Sequence, residues 1–139
     1  MRYKKGKHEI VLRLDEGEEI MEMLTRICKK ENIENAIFSG IGATREIEIA
    51  HFDTKEKKYN SKITEGMFEI VSLNGNVTLL DDEPLVHAHI IVANADFTSY
   101  GGHLVRAVIS PTCEIAIIQF KTKIKREKDE KTGLNLLKL

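Results

Sequence analysis

Three of the five histidines in this 139-residue chain fall close together, as His87-Ala88-His89 and, fourteen positions beyond His89, His103 in Gly101-Gly102-His103-Leu104. Side chains two apart on a β-strand point to the same side, so His87 and His89 share a face if their segment is extended. Two imidazoles make half of a metal site. Opposite residues of an antiparallel hairpin have a constant index sum, and a tight turn at Ala95-Asp96 gives a sum of about 191, which sets His103 opposite residue 88. A longer loop slides His103 toward residue 92, and convergence then needs a bulge or a second subunit. Three neutral imidazoles with an open fourth position suit zinc, at roughly 2.0–2.1 Å per Zn–N bond. Nickel, copper and iron accept the same donors. The competing reading is that strand histidines facing one way are ordinary surface or interface side chains.

A ligating imidazole needs an acceptor on its other ring nitrogen. Glu69, Asp96 and Glu114, together with backbone carbonyls, are the candidates, with Thr112 next to them in the same polar set. If the bound water of such a centre were to react, Glu114 is the best candidate base. Gly101 and Gly102 either form a loop that needs positive φ or expose backbone N–H groups to a ligand. His8 and His51 have no companions in sequence. Cys28 and Cys113 lie in apolar periodic segments without a CxxC spacing and read as reduced core thiols, with Cys113 set aside as a fourth ligand.

The elements that must position these groups follow from periodicity. His8 to Leu14 alternates as a strand, with Ile10, Leu12 and Leu14 on one face. Asp15-Glu16-Gly17-Glu18 offers an N-cap carboxylate with a glutamate three positions on. Ile20, Met23, Leu24, Ile27 and Cys28 then fall at helical spacing, Lys29-Lys30 suit the negative end of the helix dipole, and Asn32 is a left-handed stop. Asn35–Gly42 and Thr44–Asp53 read as strands, the second with Ile47, Ile49 and His51 on one face. Gly40 and Gly42 within that pattern indicate a bulge or a close backbone approach. Lys55 to Ser61 is a polar turn, and Met67 to Leu80 is extended, with Asn74-Gly75 either a hairpin turn or a bulge. Leu85–Ala93, Gly102–Ile109 and Thr112–Lys125 complete the strands, with Pro111 breaking the last two apart.

The expected fold is a single α+β domain over residues 1–139, an antiparallel-rich sheet with one main amphipathic helix. Its core spans about residues 8–124, followed by a charged tail from about 126 to 139 that is mobile up to Gly133, beyond which Leu134, Leu136, Leu137 and Leu139 form a last apolar segment able to dock. Length supports one core without disulfides. A balance of 21 basic against 22 acidic residues gives no global pull toward nucleic acid or membrane. No run of about 18 apolar residues exists, and the basic N-terminal segment is not followed by the apolar block of a signal peptide, so the expected compartment is the cytoplasm.

The order LDEGEEI before a helix, SGIGA after it, FEIVSLNGNV, HAHI, GGHL and TCEIAI resembles the plants-and-prokaryotes-conserved (PPC) domain, also found in plant AT-hook proteins. The similarity runs from about residue 8 to residue 124. It implies a compact module with a central antiparallel sheet, assembly as a homotrimer, and a metal-binding unit at the positions matching His87, His89 and His103. A family label of DNA binding also comes with it, but in plant members that label rests on a separate Arg-Gly-Arg-Pro arm that this sequence lacks. The local basic segments are Arg2–Lys7 and Lys121–Arg126, the latter with Lys121, Lys123 and Lys125 on one strand face. Aligned lysines either track phosphates or guard a sheet edge, and the nearby acids Glu127, Asp129 and Glu130 favour the edge. Three functions are therefore carried forward. The first is a trimeric metal site that takes a small anionic or oxygen-donor ligand, for sensing or regulation. The others are a nucleic-acid-associated protein and a metal-dependent hydrolase or lyase.

Overall fold

The computed structural model describes residues 1–139 and contains one helix and eight strands. In chain order these are β1 (Arg2–Lys5), β2 (Glu9–Asp15), α1 (Ile20–Glu31), β3 (Ala36–Asp53), β4 (Lys58–Leu80), β5 (Glu83–Ala93), β6 (Ser99–Gln119), β7 (Lys125–Lys128) and β8 (Asn135–Lys138). The helix forms where its apolar stripe does, and Ile20, Met23, Leu24, Ile27 and Cys28 are all buried against the sheet. Its stop is the expected one, Asn32 at φ 55°. Its start is not: the capping carboxylate is Glu19, which accepts from Met21 N and Glu22 N, rather than Asp15. Glu18 nonetheless reaches back to the Asp15 amide at 2.9 Å, so the reciprocal half of the expected box is present one turn earlier.

The sheet order is β1-β2-β6-β3-β4-β7-β8, with β5 bridging β4 and β6. Ladders β3·β4, β4·β5, β5·β6 and β6·β3 therefore close a ring. Such curvature needs local kinks, and the register shifts at Gly40/Gly42 and Thr44/Glu46 in β3 supply them. A Cβ on Gly40 would stand 2.8 Å from the Glu114 carbonyl, so the close approach expected there is real. The inner face and the helix bury a 25-residue apolar cluster that includes both cysteines as free thiols. No helix is long and apolar enough to cross a membrane.

Several segments read as separate in the sequence are continuous. The strands Asn35–Gly42 and Thr44–Asp53 are one, and its ladder to β4 runs unbroken from Glu46 to Asp53, so Ile47, Ile49 and His51 share a face as expected, with Ile47 buried, Ile49 packed against the core and His51 exposed. Part of the Lys55–Ser61 turn belongs to β4, which starts at Lys58. Asn74-Gly75 is neither turn nor bulge: Gly75 pairs with Phe38 on one side and Ala88 on the other, and the β4 irregularities lie between Glu65 and Phe68 and between Ile70 and Leu73. Glycine is required at 75 because a Cβ would meet the His87 carbonyl at 2.2 Å and the Phe38 ring at 2.3 Å. Pro111 does not break β6. It sits where the β3 register jumps from Cys113 to Ile109, so its missing N–H removes no rung of that ladder.

The tail is ordered rather than mobile, with β7 and β8 forming an antiparallel hairpin docked on β4. Lys121 and Lys123 lie outside any strand, so the expected lysine face does not exist. Lys123 instead pairs with Glu34 and Lys125 with Asp82.

Candidate metal centre

The loop joining β5 to β6 is held by Asn94, whose side-chain oxygen accepts from Asp96 N and Thr98 N. It sets Ala93 opposite Ser99 and therefore His89 opposite His103, one position from the register a two-residue turn would give. His87, two residues before His89, faces the same way. Ring centroids lie 5.1 Å apart for His87–His103, 5.3 Å for His87–His89 and 5.5 Å for His89–His103. One ligand nitrogen from each ring lies within 4.8 Å of the other two. Convergence is achieved within one chain.

The donor set fits a divalent cation on three counts. Nitrogens of a tetrahedral zinc site stand about 3.4 Å apart, so no pair needs to close by more than about 1.4 Å. His103 Nδ1 is buried with no hydrogen-bond partner, an atom whose desolvation is otherwise uncompensated. Burial, with smaller contributions from His103, Arg126 and His89, lowers the His87 pKa to about 4. Burial and the neighbouring His89 lower that of His103 as well. Both rings are thus neutral near pH 7, the ligating form.

A family model of the Plants and Prokaryotes Conserved domain matches residues 1–121. The chain belongs to this family. Among solved structures, a PPC protein from Pyrococcus horikoshii is 37% identical with a TM-score of 0.88, covering 99% of this chain and 95% of its own. A metal-containing protein from Archaeoglobus fulgidus is 34% identical, TM-score 0.87, covering 97% and 95%. A candidate DNA-binding protein from Bacteroides thetaiotaomicron is 28% identical, TM-score 0.95, covering 99% and 96%. No curated protein matches the chain.

The other residues singled out in the sequence are dispersed in this PPC domain. Glu69 pairs with Ala93, four residues along β5 from His89 and hence about 13 Å away. Asp96 lies in the exposed 94–98 loop. Glu114 is opposite Arg13 and Ile41 and lines a separate recess with Arg2 and Tyr3. Thr112 donates from Oγ1 to the Leu14 carbonyl at 3.2 Å, a strand-end contact. Within one chain none of these four meets the histidines. Gly101 and Gly102 do border His89 in a shared recess. They are strand residues without positive φ, contrary to the loop reading, and a Cβ on Gly101 would stand 2.2 Å from the Ile90 carbonyl.

Two neighbours of the histidines escaped sequence reasoning. Tyr59 stacks on His103 with centroids 4.8 Å apart, although its segment reads as a polar turn. Arg126 donates from Nη2 to Asn76 Oδ1 at 2.8 Å, and Asn76 pairs with His87. Arg126 comes from the tail, beyond the residues the family model matches, and no local pattern signals its return.

Proposed function

We propose that this PPC domain is a metal-binding homotrimer in which His87, His89 and His103 hold one divalent ion, with a small anionic ligand on its open side and a sensing or regulatory role. The observation that carries this reading is the mutual approach of the three ligand nitrogens to within 4.8 Å. Zinc is the ion proposed, because three imidazoles with an open fourth position suit it, and nickel, copper or iron on the same donors is the alternative loading. The metal-containing relative from Archaeoglobus fulgidus supports the same assignment. Trimer formation is supported by the family resemblance and by the outer sheet face, where Val11, Ile37, Ile41 and Ile118 are each more than half exposed. A cytoplasmic location accords with two free, buried thiols.

The chelator-stripped protein, titrated with Zn²⁺ by calorimetry, is expected to take up one equivalent per chain, and His89→Ala is expected to take up none with tight affinity. Equal uptake by the variant refutes the site.

DNA binding is the second reading, favoured by the name of the Bacteroides relative. Many cations in the basic segments are already engaged: Arg2 with Asp15, Lys5 with Glu31, Lys123 with Glu34 and Lys125 with Asp82. Duplex affinity that survives chelation and falls with salt at a log–log slope of about −0.9 per neutralised phosphate would favour it over the metal reading. Glu114, the candidate base for catalysis, lines a separate recess away from the three rings, and nothing in the site favours that reading further.

A further inference from the structure

A cavity of about 430 Å³ opens beside His87 and His103, roofed by the β7–β8 hairpin through Leu134 and Leu136. Two cations, Arg126 and Lys57, line it, and none of the chain's 22 carboxylates does. Half of the lining is apolar, including Leu85 on the floor.

The charge on Arg126 has no carboxylate partner. Nε donates to Thr78 Oγ1 at 2.8 Å, Nη2 to Asn76 Oδ1 at 2.8 Å and Nη1 to the Asn135 carbonyl at 2.7 Å, all neutral acceptors. The guanidinium is partly buried, and burial lowers its pKa. Three bonds leave two of five N–H groups unused, one on each terminal nitrogen. Lys57 bonds through Nζ to the Glu130 carbonyl at 2.9 Å, and it lies close enough to Asp129 to help lower that carboxyl's pKa. Several exposed lysines also lack an acid, but Arg126 is set apart by being partly buried without one. A guanidinium with no acid against it and a second cation on one apolar-lined cavity suit an organic anion. Two free N–H groups suit a bidentate anion, and the half-apolar lining favours an organic carboxylate with an apolar tail over a bare phosphate.

We propose that this cavity binds a small organic carboxylate, its head on Arg126 with Lys57 nearby and its short apolar tail between Leu85 and Leu134. The proposal deepens the metal-centre reading by naming the ligand class for that open side, but Arg126 and Lys57 are not metal ligands and anchor the anion with or without the ion.

Calorimetry with 4-methylpentanoate and its neutral isostere 4-methylpentanamide tests this on the full chain, both stripped of metal and loaded with Zn²⁺. The acid is expected to bind at least about tenfold more tightly than the amide. Arg126→Gln is expected to remove that preference while zinc content stays at the wild-type level, and Arg126→Lys to restore part of it. Equal binding of acid and amide by the wild type, or a preference unchanged in both Arg126→Gln and Lys57→Gln, overturns the proposal. Inorganic phosphate binding more tightly than 4-methylpentanoate overturns the carboxylate assignment. Should Arg126→Gln lose its circular-dichroism signature, the wild-type acid–amide comparison and Lys57→Gln decide. A chain that holds no zinc yet keeps an Arg126-dependent acid preference sinks the metal reading alone. Full zinc content without that preference sinks this one alone.

Discussion

His89 is the exposed member of the trio, while His87 and His103 are partly buried. Its replacement by alanine removes a ligand without opening the core, so the expected outcome is lost metal with unchanged far-ultraviolet circular dichroism. The pH response of the metal-free protein follows from His87. Its pKa is about 4 in the fold against 6.5 when unperturbed, so between those values the unfolded chain binds the extra proton. Stability is then fully present above about 6.5 and falls as pH drops toward 4. Urea midpoints of metal-free protein should decline over that window, and NMR should show the His87 ring charging well below the unperturbed range. At this scale the site was largely legible: the HxH spacing placed two rings on one face, and the hairpin sum brought in the third to within one residue. Tyr59 and Arg126 were not legible, because their approach to the rings depends on strand curvature and on a returning tail rather than on any local period.

Among the elements, α1 and its cap carry a separable prediction. Glu19 Oε1 accepts from both Met21 N and Ala107 N at 2.9 Å, tying the helix start to β6. Glu19→Ala should cost about 1–2 kcal/mol by urea denaturation, with metal uptake unaffected. Gly75→Ala tests the sheet beneath the site. The new methyl would press on the His87 carbonyl and the Phe38 ring, and overpacking of this kind costs about 1–3 kcal/mol. Because the strained carbonyl belongs to His87, zinc affinity should fall with stability, unlike in the Glu19 variant. The helix was readable from its stripe, since one buried face leaves an unambiguous period. Strand limits were less so. Period-two patterns locate alternation but are interrupted by bulges, which is why β3 looked like two strands and Pro111 looked like a break. A bulge costs one residue of phase and leaves no residue type that announces it.

Over the whole molecule, the fold class and single helix followed from the pattern, and the family match over residues 1–121 agrees with the resemblance. Docking of the leucine segment at 134–139 was legible, but the hairpin it forms with Lys125–Lys128 and the contact of that strand with β4 were not, because charged residues hide the first strand. The proposed trimer should depend on the outer apolar face. Ile37 and Ile118 are direct cross-strand partners there, and Ile37→Asp with Ile118→Asp should sediment as a monomer. Since all three histidines belong to one chain, that monomer should still bind zinc. The decisive experiment is anomalous diffraction at the zinc edge from untagged, zinc-loaded crystals. One strong peak within about 2.0–2.1 Å of a nitrogen from each of His87, His89 and His103 is the expected result. Rings pointing apart, with no peak among them in any protomer, would contradict it.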